Sequence, residues 1–223
     1  MPRKPGAVNL CFHGIGTPGR PLEPGEDVYW VGVERFEQLL DEAARHPNVR
    51  ISFDDGNASD VEIALPRLRR RQLTATFFLL AGRIDTPGSV TSAGVSELRA
   101  AGMPIGSHGW SHRSWRGMDA EASHQELVLS AEVLSDLARM RVREAACPRG
   151  EYDRGALQQL RKAGYERVFT SDRRRARDRA WLQPRFSLHH DDDVDGLRSA
   201  VDAGGPSLVG AARAAYHLVK RWR

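Results

Sequence analysis

Short apolar runs alternate with segments of helical periodicity along most of the chain, and this alternation constrains the fold more than any other feature. The runs with the length and composition of strands are residues 8–12, 49–53, 73–80, 104–107, 144–147 and 167–170. Apolar residues recur at helical spacing between them, over residues 33–44, 63–71, 92–101, 121–140 and 152–163. Parallel strands need long crossover connections, which helices of about a dozen residues supply. The pattern therefore predicts an α/β fold with a parallel sheet or barrel.

The chain has 223 residues, which suits a single α/β core. No shift in composition divides it, so we expect one domain over residues 1–223. Within residues 207–223, apolar residues at helical spacing are surrounded by basic ones. This segment predicts a basic amphipathic helix packed against the barrel, with contact to an anionic membrane surface as the alternative.

Charge and cysteine content limit the partners and the compartment. Lys and Arg number 33 against 29 Asp and Glu, and the basic runs at residues 69–71, 173–175 and 220–221 are best interpreted as solvated faces. No base-stacking or groove-binding pattern accompanies them, so we expect no nucleic-acid partner. The chain has only two cysteines, and its first residues lack the apolar stretch of a signal peptide. We therefore expect a cytoplasmic protein, peripheral to the membrane if the basic helix binds lipid.

Residues suited to catalysis or metal binding follow four of the predicted strands. They are His13, Asp54, Asp55, His108, His112, Pro148, Arg149 and Tyr152. The carboxyl ends of parallel strands meet at one edge of a sheet or barrel, where such folds place their active sites. The sequence therefore predicts that these side chains form one site.

Two segments within this set have metal-binding chemistry. Asp54 and Asp55 directly follow an apolar strand, and adjacent carboxylates repel unless a cation or a proton separates their roles. His108 and His112 are four residues apart, close enough to bind one ion together. Alone, the first segment could be an Asp-Gly turn, and the two histidines could be structural. Together they form a set of two imidazoles and a carboxylate that leaves coordination positions open.

These segments resemble the motifs of a known family. Phe-Asp-Asp-Gly at residues 53–56 and the two histidines are similar to the first two motifs of the polysaccharide deacetylases, carbohydrate esterase family four. Residues 146–153 resemble the third motif, and residues 75–78 a typical strand. Residues 10–13, Leu-Cys-Phe-His, resemble the first strand of the branch that acts on poly-N-acetylglucosamine. The resemblance covers roughly residues 8 to 190 and implies a distorted (β/α) barrel of about seven parallel strands, the NodB-homology type.

The same resemblance implies roles for individual residues. Asp55, His108 and His112 would hold a divalent metal, usually Zn²⁺, with Co²⁺, Ni²⁺ or Mn²⁺ as alternatives. Asp54 would be the general base that deprotonates the attacking water. The residue that protonates the leaving amine stays open among three histidines, His13, His189 and His190.

The sequence departs from the family pattern in two places. Gly109 stands where Ser or Thr usually follows the first histidine, which removes a hydroxyl that would brace the loop. No arginine precedes Pro148 to orient the base; we expect Arg185 in that role, with Arg149 as the alternative. For substrate contacts, four residues are predicted, Pro148, Arg149, Tyr152 and Trp110. Of Trp110 and Trp115, one is expected in the core and one as a ring that stacks on a sugar.

The function predicted from these residues is removal of the N-acetyl group from an N-acetylhexosamine in a glycan or glycan precursor. An amidohydrolase or deformylase acting on another small molecule would use the same ligands, so it stays an alternative. A non-catalytic carbohydrate-binding relative is a weaker alternative, because base and ligands are all present. A purely structural protein would have no reason to collect ionisable residues at strand ends.

Overall fold

A computed structural model describes residues 6–202. Its main feature is an eight-stranded parallel sheet with the order β10-β1-β4-β5-β6-β7-β8-β9. The strands are β1 (Val8–Phe12), β4 (Val49–Asp55), β5 (Ala75–Leu79), β6 (Ile105–Ser107), β7 (Glu144–Ala146), β8 (Arg167–Thr170), β9 (Leu182–Pro184) and β10 (Phe186–Ser187). Two further short strands, β2 (Gly14–Ile15) and β3 (Trp30–Val31), pair with each other.

The two edges of the sheet are joined by one stretch of chain, which nearly closes the sheet into a barrel. β9 pairs with β8, and β10 pairs with β1 at the opposite edge. Only Arg185 separates β9 from β10. Asn9 Nδ2 also bridges the junction, because it donates to the Pro184 carbonyl at 3.1 Å and to Gln183 Oε1 at 3.2 Å. Counted as one strand, this stretch gives the seven-stranded distorted barrel that was predicted.

Helices follow the strands as crossover connections. They are α1 (Val33–Ala43), α2 (Leu65–Arg70), α3 (Ser92–Ala100), α4 (Ala120–Ser123), α5 (Ser130–Ala138), α6 (Arg154–Lys162) and α7 (Val194–Asp202). The predicted helix at residues 121–140 is interrupted by a π-helical turn, His124–Leu129, and another, Asp60–Ala64, precedes α2. The strand and helix predictions otherwise hold within a few residues.

Side chains of the strands alternate between two environments. Phe12, Phe53 and Phe77 stack across neighbouring strands, with ring centroids 5.4 and 4.8 Å apart, and Phe36 of α1 packs on this row. Ser52 and Asp54 flank Phe53 on β4, and their side chains point to the other face of the sheet, inside the barrel. The barrel interior is therefore partly polar, whereas the layer under the helices is apolar.

The chain beyond the last strand packs back on the first helix. α7 contacts α1, and Arg198 donates to both carboxylate oxygens of Glu42 at 3.0 Å. α7 begins directly after a run of three aspartates, residues 191–193. The predicted amphipathic helix at residues 207–223 lies outside the described residues. Between residues 6 and 202, no helix combines the length and the apolar character needed to cross a membrane.

Candidate functional site

Asp55, His108 and His112 converge at the carboxyl ends of β4 and β6. Asp55 Oδ1 lies 3.4 Å from Nε2 of each histidine, and the ligand atoms of all three lie within 4.8 Å of one another. Asp55 and His112 have positive φ values of 77° and 60°, which are uncommon for residues with a Cβ. Such backbone strain often marks a functional site. Here it turns two side chains toward the third.

Hydrogen bonds fix the two imidazoles with the same nitrogen facing Asp55. His108 Nδ1 lies 2.9 Å from the Ala146 carbonyl, which can only accept, so Nδ1 donates. His112 Nδ1 lies 3.0 Å from the carboxylate oxygen Oε2 of Glu23 and donates in the same way. Each Nε2 lone pair is therefore directed toward the same point. Burial lowers the pKa of His108 to about 4, so this ring is neutral at pH 7.

The charge and exposure of Asp55 fit a bound cation. Burial alone would raise its pKa, but His112, His13 and His108 lower the pKa below its ordinary value, so the carboxylate is ionised. Asp55 is only 2% exposed, and its Oδ1 has no hydrogen-bond partner. A buried, unpartnered carboxylate oxygen facing two imidazole lone pairs is costly unless a cation is bound. The donor set of two nitrogens and one oxygen suits Zn²⁺ and related divalent ions.

Asp54 is held by Arg185. Nη1 and Nη2 of Arg185 donate to Oδ1 and Oδ2 of Asp54 at 2.6 Å each, and Nη1 also donates to Ser52 Oγ at 3.1 Å. Arg185 is 0% exposed. Burial would raise the pKa of Asp54, but the guanidinium more than offsets this and holds the pKa well below the ordinary value. Of the two arginines considered, Arg185 therefore contacts the expected base, and Arg149 pairs with Glu23 instead.

A cavity of about 500 Å³ opens above the two aspartates. Six residues predicted for the site line it, His13, Asp54, Asp55, His112, Arg149 and His189. The ring centroid of Tyr29 lies 4.6 Å from that of His13 and 4.7 Å from that of His189, so these three residues form one wall. His108 is buried next to the cavity floor, where it contacts both aspartates.

Other predicted residues lie outside the lining of this cavity as the structure describes it. His190 is exposed, and its backbone N–H donates to the Val28 carbonyl at 2.8 Å. Tyr152 is buried and donates from its hydroxyl to Asp172 Oδ2 at 3.0 Å, while Pro148 is buried in the turn after β7. Trp110, the ring predicted to stack on a sugar, is half-buried and packs over Gly82, whose missing Cβ leaves the space that the indole needs.

Two glutamates at the site were not predicted. Glu23 lies in a loop rich in Gly and Pro, and it accepts hydrogen bonds from His112 Nδ1, from Arg149 Nη2 at 2.8 Å and from Arg83. Glu126 is 0% exposed and accepts from the backbone N–H groups of Trp110 and Ser111 at 2.8 and 3.2 Å, and from the Ser111 hydroxyl at 2.5 Å. Glu126 thus braces the loop between the two histidines.

Glu126 also explains why glycine follows the first histidine. Gly109 has φ +87°, and a Cβ there would overlap Glu126 Oε2 and lie 3.2 Å from Trp115 Nε1. The loop lacks the hydroxyl that the family usually has after the first histidine, but it is still braced. A carboxylate from the following helical segment replaces the hydroxyl, and it needs the space that glycine leaves.

Restoring the family's serine should therefore destabilise this protein. For Gly109→Ser we expect a loss of about 2–4 kcal/mol in the free energy of unfolding, from left-handed backbone and steric overlap. The matched control is Gly102→Ser, because Gly102 has φ +76° but nothing within 4 Å of its Cβ position. The control should lose only about 1–2 kcal/mol. Urea unfolding compares the variants, and equal losses would contradict the role given to Glu126.

Known proteins share this fold and sequence pattern. The family model described as polysaccharide deacetylase matches residues 41–168, more than half of the chain. A relative named as a polysaccharide deacetylase, YxkH of Bacillus subtilis (strain 168), is 26% identical over 124 residues, which cover 56% of this chain. That match spans only 44% of the length of the relative.

Two solved structures support the fold. The Streptococcus pyogenes deacetylase PplD, solved in complex with acetate, superposes with a TM-score of 0.76 at 18% identity, covering 88% of this chain and 98% of that one. IcaB from Ammonifex degensii gives a TM-score of 0.71 at 21% identity, with 88% and 97% covered. At these identities the structures establish the common fold, and the family rests on the sequence match. The chain belongs to the polysaccharide deacetylase family.

Proposed function

We propose that this protein is a metal-dependent hydrolase that removes the N-acetyl group from an N-acetylhexosamine in a glycan or glycan precursor. The observation that carries the proposal is the meeting of Asp55, His108 and His112 beside the arginine-held carboxylate of Asp54 at one cavity. Family membership supports the reaction class, and the acetate in the PplD complex is the product such a reaction releases.

Asp55, His108 and His112 are the residues that would hold the metal, for which Zn²⁺ is our first choice. When bound, such an ion supplies Lewis acidity toward an acetyl carbonyl and lowers the pKa of water to about 7. The protein would contribute one carboxylate charge and two imidazoles, which bind metals in their neutral form, so a divalent ion would keep a net positive charge toward a substrate. Co²⁺, Ni²⁺ and Mn²⁺ fit the same donor types.

Asp54 would act as the general base. Arg185 contacts both of its oxygens, but each carboxylate oxygen has a second lone pair, so the side chain can still accept a proton from water. The guanidinium fixes the orientation of the carboxylate and keeps it ionised before the reaction. Positioned base catalysis of this kind contributes roughly 10²–10⁴-fold to a rate.

His13 is our choice for the acid that protonates the leaving amine. It lines the cavity, one of its ring nitrogens lies within 4.8 Å of an Asp54 oxygen, and its Nδ1 is buried without a hydrogen-bond partner. His189 is on the same wall, beyond Tyr29. In the overall reaction the amide C–N bond breaks, the water oxygen joins the acetyl carbon, and the amine nitrogen gains the proton.

Metal binding can be tested at His112, because this ligand is only partly buried. Loss of one of three protein ligands should reduce the zinc content of His112→Ala from about one equivalent to near zero, with loss of acetate release. His190→Ala is the matched control, since His190 is exposed and outside the cavity lining. Metal analysis after dialysis is the measurement. Retention of a full equivalent by His112→Ala would contradict the ligand assignment.

The substrate class needs a panel assay on zinc-loaded protein. Acetate release would be measured from N-acetylglucosamine oligomers and from nucleotide-linked and lipid-linked N-acetyl sugars, with formate release from N-formyl amines in parallel. Release of acetate from a sugar supports the proposal. Formate release alone, from a protein that binds zinc, would assign the site to a deformylase.

A further inference from the structure

The loop between β2 and β3 forms part of the wall of the active-site cavity. Because these two strands pair with each other, the loop of residues 16–29 leaves and returns at nearly the same place. Four consecutive residues of the loop line the cavity, Glu23, Pro24, Gly25 and Glu26. The loop carries none of the family motifs, so nothing in the proposed reaction accounts for its acidic residues.

Glu23 is the residue through which the loop contacts the candidate metal ligands. Its Oε2 accepts from His112 Nδ1 at 3.0 Å and from Arg149 Nη2 at 2.8 Å, and its Oε1 pairs with Arg83. Both oxygens are thus used. Arg83 and Arg149 both pair with Glu23, so the group facing His112 is a carboxylate.

The loop is also braced from within, which fixes the position of Glu23. The backbone N–H of Glu23 donates to Glu26 Oε2 at 2.8 Å, and Glu26 pairs with Arg20. Nε of Arg20 donates at 3.1 Å to Asn57 Oδ1, just after β4. A chain of contacts therefore links the end of β4 to the loop and, through Glu23, to His112.

We propose that Glu23 is a positioning residue that orients His112 and makes the loop a determinant of metal affinity. This inference rests on the proposed function, because it takes His112 as a ligand. A carboxylate that accepts from Nδ1 fixes the tautomer and the ring orientation and makes Nε2 a stronger donor to a metal. His112 also has φ +60°, an uncommon backbone conformation that persists only when surrounding contacts hold it. Loss of such partners typically weakens metal binding about 10–100-fold.

The test compares zinc affinity among loop variants. Glu23→Ala removes the acceptor, and Glu23→Gln keeps its size and an acceptor oxygen but removes the charge. The matched control is Asp27→Asn, which removes a negative charge from an exposed side chain of the same loop, outside the cavity lining and away from the contacts that brace Glu23. Zinc dissociation constants would be measured by chelator competition, and the Co²⁺ absorption spectrum would report ligand geometry.

We expect Glu23→Ala to weaken zinc binding about 10–100-fold, with an intermediate loss for Glu23→Gln. Asp27→Asn should change the constant by less than about threefold, and only the Glu23 variants should alter the Co²⁺ spectrum. If wild type binds zinc and Glu23→Ala binds it equally well, the inference is overturned. An equal loss in Asp27→Asn would also overturn it, because the overall charge of the loop, and not the contact with His112, would then set the affinity. Failure of the wild type itself to bind zinc would overturn the proposed function, a distinct result.

Discussion

Asp54→Asn should reduce acetate release by about a thousandfold, within the range expected when a positioned general base is removed. The amide cannot take a proton from water, whereas the three candidate metal ligands are unchanged. Zinc content should therefore stay near one equivalent. The measurement is acetate release per bound zinc, because the substitution also disturbs the pairing with Arg185 and lowers the folded fraction.

The control for this variant is His190→Asn, at an exposed residue outside the cavity lining. It should retain wild-type acetate release. An Asp54→Asn protein that is folded, zinc-loaded and still active within about tenfold of wild type would contradict the assignment of Asp54 as the base.

Arg185→Met should cost about 3–5 kcal/mol of unfolding free energy, because it leaves the Asp54 carboxylate buried without its partner. Removing both charges avoids that penalty. The double variant Asp54→Leu, Arg185→Met should therefore recover most of the stability while having no activity. Urea unfolding of wild type, the single variants Asp54→Leu and Arg185→Met, and the double variant forms a double-mutant cycle. Equal stability of Arg185→Met and wild type would contradict the buried ion pair.

The pH dependence of this cycle has a definite sign. In wild type Arg185 holds the pKa of Asp54 below its unfolded value, so the stabilisation is present above about pH 4 and is lost as the pH falls through the folded pKa. Without the arginine, burial raises the pKa of Asp54. Arg185→Met therefore loses unfolding free energy at neutral pH and regains it when Asp54 is protonated. The stability gap between the two proteins should narrow as the pH falls toward 4.

The strands and the metal cluster are the parts that the sequence predicts best. Strand and helix periodicity are local properties, and parallel topology brings strand ends together whatever the details of the loops. Asp55 and His108 each come at or directly after a strand, so their meeting follows from topology alone. The role of Arg185 could not be predicted from periodicity. It was expected from a family resemblance, because the contact with Asp54 depends on how the barrel closes.

Glu23 and Glu126 escaped prediction for different reasons. The loop that carries Glu23 has no periodicity, so its sequence does not say which surface it covers. Glu126 lies in the π-helical turn His124–Leu129, which α-helical periodicity does not predict, so the sequence did not show that its side chain is buried. A carboxylate on a buried face must have partners, which here are the backbone groups of the loop between the histidines.

Proximity in sequence to a motif was a poor guide to the cavity wall. Arg149 has φ +56°, and this reversal places its side chain at the cavity while Tyr152, three residues on, is buried against Asp172. Trp110 lies between the two histidines in sequence, yet its indole packs over Gly82. Positive φ at a residue with a Cβ is set by tertiary contacts, so such reversals are hard to anticipate from composition.

Arg185 sits between β9, which completes one edge of the barrel, and β10, which completes the other. The stretch of chain that closes the barrel thus also carries the guanidinium that orients Asp54. These residues are among the last of the barrel to be synthesised. A nascent or truncated chain that lacks them has an uncompensated carboxylate at residue 54 and an open sheet together. The pairing that orients Asp54 therefore forms only when the barrel closes, so completion of the sheet and assembly of the candidate site are one folding event.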